Sequence, residues 1–230
     1  MTKFTIAIQH TPSRADRRKW VQSMLTQLRS ENPNVPIALI EDTQHDGCWP
    51  TYRQALDAAG GASHHLVLQD DVELCKDFIR SVEEVIRVRP ANLIALYTNA
   101  QSVLAARLRG DSWIERDGVC GPAMIWPTYL IAEFLQWQDS HIDIDFEFDT
   151  VRVSMWLIKT SKRAFATVPS LVEHLGWGSS TMGLNSSSKV AAWYIGEDQS
   201  GLEIDWSLGL SSPVRDASNI KPEWWRYFHE

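Results

Sequence analysis

Cysteine is scarce in this sequence. Cys48, Cys75 and Cys120 are an odd number at wide spacing, and they form no CxxC pair. This pattern indicates neither a zinc knuckle nor a disulfide framework, and it is typical of free thiols in a reducing compartment. The sequence also predicts no membrane span and no signal peptide, because long apolar runs are missing and the N-terminus leads directly into a strand pattern. We therefore expect a cytoplasmic protein.

Positive charge is also in short supply. The 22 lysine and arginine residues face 29 aspartate and glutamate residues, which gives a formal net charge of -7 at pH 7. This balance disfavours broad attraction to nucleic acid or to an anionic membrane. The chain does have 44% hydrophobic residues in a length of 230, which is enough for one sizeable domain. We expect this domain over residues 1–184, followed by a C-terminal extension over residues 185–230.

Strand and helix patterns alternate in the first hundred residues. The predicted order is strand, helix, strand, helix, strand, helix, strand, at residues 4–9, 15–28, 35–40, 51–59, 65–69, 78–88 and 92–98. Such an order implies a parallel sheet joined by right-handed crossovers. We therefore expect an α/β fold, with a mostly parallel twisted sheet and helices on both faces.

The pattern weakens after residue 100. Polar residues gather over 100–118, which we interpret as a surface loop or irregular insertion. Acids alternate with apolar residues from Asp143 to Asp149, a period that places the acids on one side of an extended segment. The remaining predicted elements are a strand at 121–126, a helix at 127–137, a helix at 152–162, a strand at 164–168 and a loop at 169–180.

The most informative stretch is the apolar run His65–Leu68, which continues through Gln69 into two adjacent acids, Asp70 and Asp71. Ligands of open α/β sheets bind at the carboxyl ends of such buried strands. Two bare carboxylates there must be paired, hydrated or bound to a cation. A divalent metal bound together with a nucleoside diphosphate would offset the charge of both carboxylates. Alternatively, the two acids lie in a solvated turn that caps the following helix.

The acidic pair is one of three segments that point to a known family. Leu68–Val72 is similar to an acidic metal motif found as DxD or EDD. Asp149–Leu157 is similar to a helix whose leading aspartate acts as a base. Val168–Gly176, continuing to Ser179-Ser180, is similar to a Pro-Ser-Leu-Val-x-His-x-Gly segment. Together they resemble the GT-A fold of nucleotide-sugar-dependent glycosyltransferases.

This resemblance implies a divalent metal and a nucleoside-diphosphate sugar, more specifically a UDP-linked one, as co-substrate. Asp71 would be the direct metal ligand and His174 a second one. Carboxylate suits both Mg²⁺ and Mn²⁺, but imidazole is tolerated better by Mn²⁺, so we expect Mn²⁺ before Mg²⁺. Alternatively, His174 is a loop histidine without a ligand role. Gln69 departs from the family, which usually has an acid at that position.

The resemblance also implies residues that contact the donor. Asp42 would contact the nucleoside, and Asp70, with Gln69 beside it, would face the ribose. Arg14 and Arg17 follow the first strand and could neutralise phosphate, although such residues are also typical of a solvated helix start. The small residues Gly121, Pro122 and Ala123 could border the sugar.

An inverting transfer requires a base close to the acceptor hydroxyl, and burial can raise a carboxylate pKa into the useful range. Asp149 is the first candidate and Asp145 the second. Alternatively, Asp149 is the N-cap of a helix and the alternating acids form a solvated face. A retaining transfer would not require this base.

Two other function classes stay open at this point. One is a metal-dependent phosphohydrolase or nucleotidyl enzyme, because paired aspartates after a strand also serve in those folds. The other is a noncatalytic carbohydrate-binding protein. For a transferase, the acceptor could be a glycan, a protein or a hydroxymethylated DNA base. The extension over 185–230 could cover the acceptor site or mediate oligomerisation.

Overall fold

The computed structural model describes residues 4–45, 47–175, 190–217 and 220–229. Its strands are β1 (Phe4–His10), β2 (Ile37–Glu41), β3 (His64–Gln69), β4 (Val72–Leu74), β5 (Leu93–Ala95), β6 (Trp113–Arg116), β7 (Ala123–Pro127), β8 (Ala164–Thr167), β9 (Val172–His174) and β10 (Val214–Asp216). Its α-helices are α1 (Ala15–Glu31), α2 (Cys48–Asp57), α3 (Phe78–Val88), α4 (Ser102–Arg109), α5 (Thr128–His141) and α6 (Asp149–Lys159). Short 3₁₀ helices follow at Gly201–Glu203 and Pro222–Tyr227.

Eight of these strands form one sheet in the order β10-β6-β8-β5-β7-β3-β1-β2. β1 pairs in parallel with β2 and β3, β5 with β8, and β10 with β6. β7 runs antiparallel to both of its neighbours, β3 and β5, and β6 runs antiparallel to β8. The predicted α/β fold with a mostly parallel sheet is confirmed, with β7 inserted against the direction of the central strands.

Helices cover both faces of this sheet. On β3, Leu66 and Leu68 pack into one core cluster with residues of α1 and α3. Val67 between them packs into a second cluster with residues of α2, α5 and α6. Successive side chains of a strand point to opposite faces, so an unbroken apolar run is required when both faces are covered. Burying each such side chain contributes about 1.5–3 kcal/mol.

The strand register brings polar residues together at one edge of the sheet. Gln9 of β1 is the partner of Gln69 of β3, so His10 and Asp70 follow side by side. β2 ends at Glu41, which is the partner of His10, and Asp42 comes next. Because parallel strands end at the same edge, these three side chains surround one position at the carboxyl ends of the strands.

A small second sheet completes this edge. β4 and β9 pair in antiparallel fashion, with Val72 opposite His174. The backbone N–H of Leu175 donates to the carbonyl oxygen of Asp71 at 2.7 Å. This pairing joins two segments that are about a hundred residues apart in the sequence, and it places His174 beside the acidic pair.

The structure corrects three predicted segments. The segment 169–180, predicted as a loop, contains β9. Residues 100–118, interpreted as a surface loop or irregular insertion, contain α4 and the strand β6, whose first two residues are buried. The segment from Asp143 to Phe148 is not an extended strand, and Asp149 already belongs to α6. The guanidinium of Arg152 holds this segment instead, donating to the carbonyl oxygens of Asp143, Ile144 and Phe146. Local hydrogen bonds to one buried side chain therefore replace the ladder of a strand.

The C-terminal residues pack onto the rest of the protein. β10 lies at the edge of the main sheet beside β6, and Trp206 packs against Trp113 with ring centroids 5.6 Å apart. The predicted boundary between residues 184 and 185 lies outside the described residues and stays a prediction. Gly176, Ser179 and Ser180 of the family segment also lie outside them. Among the described helices, we find none whose length and apolarity would allow it to cross a membrane.

Candidate active site

A cleft of about 590 Å³ opens at the carboxyl ends of β1, β2 and β3. Seven of the nine residues predicted for donor, metal or base contacts line it: Arg17, Asp42, Gln69, Asp70, Asp71, Asp149 and His174. They come from strand ends, from the first turns of α1 and α6, and from the small second sheet. The fold therefore brings together residues that are up to 157 positions apart in the sequence.

Asp70 is held from three sides. Its Oδ2 lies 2.8 Å from Nδ1 of His10 and accepts from the backbone N–H of Thr11 at 2.8 Å. Its Oδ1 accepts from Nη1 of Arg17. Because its side chain is only 3% exposed, these contacts offset the cost of burying the charge. Asp70 thus joins the end of β3 to the turn between β1 and α1, and its contact with a ribose stays a prediction.

Asp71 lies between Arg17 and His174. Nη2 of Arg17 is 2.7 Å from Asp71 Oδ2, and Nε2 of His174 is 3.2 Å from the same oxygen. Burial raises the pKa of Asp71, but the hydrogen bond from His174 and the positive charges of His174 and Arg17 outweigh it and leave this pKa below its ordinary value. Asp71 is therefore a carboxylate at neutral pH.

The other oxygen of Asp71 fits a metal ion. Oδ1 is buried and has no hydrogen-bond partner within the described part of the chain, and an unsatisfied buried acceptor of this kind needs a cation or a donor. In the described ranges, no group of three or more His, Cys, Asp or Glu side chains surrounds one point. Mg²⁺ and Mn²⁺ bind with one or two protein carboxylates plus phosphates and water, so one carboxylate with His174 nearby is a sufficient set.

Asp149 lines the same cleft as the acidic pair, from the first turn of α6. Its side chain is buried, and burial raises its pKa from 3.8 to about 6. Oδ1 accepts from the backbone N–H of Thr150 at 2.6 Å, while Oδ2 is buried without a partner among the described residues. Phe148 is the N-cap of α6, so Asp149 is the first residue of the helix. The carboxylate thus has one oxygen held by the backbone and one buried oxygen without a hydrogen-bond partner in the described chain.

Two predicted residues lie outside the cleft lining. Arg14 pairs with Asp16 at 3.3 Å, and both side chains are 36% exposed. Asp145 is exposed, and its backbone N–H donates to Asp143 Oδ1 at 3.0 Å. The described structure therefore separates Arg17, which points inward, from Arg14, and Asp149 from Asp145.

Gly121 and Pro122 border the cleft, whereas Ala123, the third small residue named beside the sugar, is buried in the core. A Cβ atom added to Gly121 would collide with Cγ2 of Thr150 and lie 3.6 Å from Nε2 of Gln69. Glycine therefore permits the close approach of this loop to the start of α6, which keeps Asp149 near the end of β3.

Comparisons with known proteins give a fold likeness only. No family model matches the chain, and curated proteins gave no match. Among solved structures, the chain is similar to S. aureus TarS 1-349 in complex with UDP-GlcNAc, with 12% identity, a TM-score of 0.47 and coverage of 74% of this chain and 56% of that chain. The structure of TarS 1-349 alone has 12% identity and a TM-score of 0.44, and the alignment covers 74% of this chain and 58% of that chain. The chain thus spans little more than half the length of either TarS chain.

A third solved structure, the mannose-1-phosphate geranyltransferase from Thermus thermophilus, has 11% identity and a TM-score of 0.42. Here the alignment covers 73% of this chain and 74% of that chain.

Sequence reasoning missed two residues that support the site directly. His10 bonds to Asp70, and the ring of Tyr97 lies 6.2 Å from the ring of His174. The position of His10 at the end of a strand beside β3 was readable from the pattern, because both strands end at one edge. Tyr97 follows β5, a strand separated from β3 by β7, and that strand order has no sequence signature of its own.

Proposed function

We propose that this protein is a metal-dependent glycosyltransferase that moves a sugar from a nucleoside-diphosphate sugar, preferably UDP-linked, to a hydroxyl group with inversion. One observation carries the proposal. A carboxylate with an unpartnered buried oxygen, Asp71, and a second buried carboxylate with a raised pKa, Asp149, line the same cleft at the carboxyl end of the sheet.

The two carboxylates have the properties that the two halves of the transfer require. Asp71, with His174 beside it, would hold Mn²⁺ or Mg²⁺, and the bound metal would stabilise the charge that develops on the leaving diphosphate. Asp42 and Asp70 are placed at the ends of β2 and β3, where a nucleoside and its ribose would lie.

Asp149 would take the proton of the acceptor hydroxyl. Its unpartnered oxygen, Oδ2, is buried, and a pKa of about 6 keeps the group ionised at neutral pH yet more basic than an ordinary aspartate. The helix start positions Asp149, because the backbone N–H of Thr150 binds its other oxygen. These features support Asp149, rather than the exposed Asp145, as the base.

The geometry gives less support to the other function classes. An aspartyl-phosphate mechanism needs an acidic side chain with an accessible nucleophilic oxygen. Both oxygens of Asp70 already accept hydrogen bonds in the buried network, and the unpartnered oxygen of Asp71 is buried. In a noncatalytic binding protein, a buried carboxylate with a raised pKa would cost stability without a return in activity.

The test is release of nucleoside diphosphate from a panel of nucleotide sugars, with and without Mn²⁺. We expect metal-dependent release from one donor, with loss of turnover by a factor of about 100 or more, on the order expected for general base catalysis, in Asp149→Asn. Asp71→Asn and His174→Ala should raise the Mn²⁺ concentration required. Glu84→Gln is the matched control, since Glu84 is a half-buried acid on α3 that pairs with Arg87 and lies outside the cleft lining.

Two results would contradict the proposal. Equal turnover with and without metal would remove Asp71 from the stated role. Absence of both turnover and nucleotide binding across the panel would favour the noncatalytic interpretation.

A further inference from the structure

We infer that Arg17 is the resident counter-ion of the acidic pair and that it opposes metal binding until a diphosphate is present. The inference deepens the proposed function and rests on it, because the metal is the one proposed there. It concerns a residue of this chain whose contacts with both acids the structure shows.

The first observation is how the guanidinium is shared. Nη1 of Arg17 binds Oδ1 of Asp70, and Nη2 lies 2.7 Å from Oδ2 of Asp71. An arginine guanidinium often binds a single carboxylate with two of its nitrogens, but the guanidinium of Arg17 binds two different carboxylates. The side chain of Arg17 is only 7% exposed, so the interaction is little screened by water.

The second observation is the charge balance. Asp70 and Asp71 are each 3% exposed, and the basic side chains that bind them in the described chain are Arg17, His10 and His174. Arg17 is the one lysine or arginine among the described residues that line the cleft. A guanidinium carries a permanent positive charge. Arg17 therefore supplies the permanent half of the neutralisation.

A metal ion at Asp71 would lie close to this guanidinium. Two cations a few ångströms apart repel one another strongly at a buried site. A diphosphate adds negative charge that both cations can share, so its binding should remove the repulsion. Metal and nucleotide would then raise each other's affinity by the same factor.

The experiment measures the Mn²⁺ concentration that gives half of the maximal rise in unfolding temperature, with and without UDP. For the native protein we expect UDP to lower this concentration at least about tenfold. For Arg17→Met without UDP, we expect it to be at least about tenfold lower than for the native protein, although the variant itself unfolds at a lower temperature. Arg17→Lys, which keeps a charge, and Arg14→Met, which changes the neighbouring surface arginine, should behave like the native protein.

The sign of the change separates this role from a merely structural one. If Arg17 only shaped the site, Arg17→Met would bind Mn²⁺ more weakly, and that result would overturn the inference. Equal Mn²⁺ response of the native protein with and without UDP would overturn it as well, even if Arg17→Met does not fold. If donor turnover is observed in either case, the proposed function stands while the inference fails. Absence of Mn²⁺ response and of turnover together would reject both.

Discussion

Replacing Asp149 by asparagine should make the protein more stable while it removes the activity. The pKa of Asp149 is raised from 3.8 to about 6 by burial, so the folded protein prefers the protonated, neutral side chain. Stability from this group is fully present below pH 3.8, and it is lost as the pH rises through about 6. At neutral pH the folded protein therefore carries the cost of a buried charge.

The size of this cost follows from the shift. A difference of about two pKa units, at about 1.4 kcal/mol per unit, corresponds to about 3 kcal/mol at pH 7. Asparagine keeps an oxygen for the Thr150 N–H and carries no charge. Its free energy of unfolding should exceed that of the native protein by up to about 3 kcal/mol at pH 7 and by close to zero below about pH 4. In a chain of this size, 1 kcal/mol corresponds to about 2–4 °C in Tm.

Urea unfolding of both proteins between pH 4 and pH 8 measures this difference. Asp145→Asn is the matched control, since Asp145 is an exposed acid four residues earlier, and it should leave the pH dependence unchanged. In parallel, kcat/KM of the native protein should fall below about pH 6 as the base becomes protonated. Parallel stability curves for Asp149→Asn and the native protein would refute the assignment of a costly buried charge at this position.

Two further predictions concern close packing and thiol chemistry. Gly121→Ala should cost about 1–3 kcal/mol of stability and lower kcat, because the new methyl group collides with Thr150. Thermal unfolding followed by circular dichroism measures the loss, with Gly61→Ala as the control because Gly61 has open space around it. Equal unfolding temperatures of the two variants would contradict the prediction. Cys48 and Cys75 should not react with a thiol reagent at pH 8 in the folded protein, because burial raises the pKa of each thiol to about 12. Rapid labelling of either one would show that it is accessible.

The central sheet was predictable where both of its faces are covered. β3 is an unbroken apolar run because Leu66, Val67 and Leu68 pack alternately into two cores. The acids that follow it were found for the same reason, since charge at the end of a buried strand stands out in the sequence.

Two elements that were not predicted, α4 and β6, have weak patterns of apolar residues. In α4, Val103 and Ala106 are buried, but Leu104 and Leu108 are 64% and 81% exposed. Apolar residues on both sides of a short helix hide its 3.6-residue period. β6 has four residues, too few for a clear alternation.

The candidate site could be predicted only in part from the sequence pattern, and the rest depends on the fold. Asp71 was marked by its strand, whereas the role of Arg17 depends on the direction of one side chain in the first turn of α1. Arg14 and Arg17 look alike in the sequence, and only the fold distinguishes the surface arginine from the buried one. Likewise, the alternation from Asp143 to Asp149 suggested a strand, but it is the buried Arg152 that shapes this segment.

The position of β10 has a consequence for synthesis of the chain on the ribosome. β6 receives its outer neighbour from residues Val214–Asp216, and Trp113, the first residue of β6, packs against Trp206. Until these late residues emerge, the nascent sheet ends in an open strand edge next to an uncovered tryptophan, a surface that invites aggregation. Chains cut short before residue 206 should therefore depend on chaperones far more than the full-length chain does.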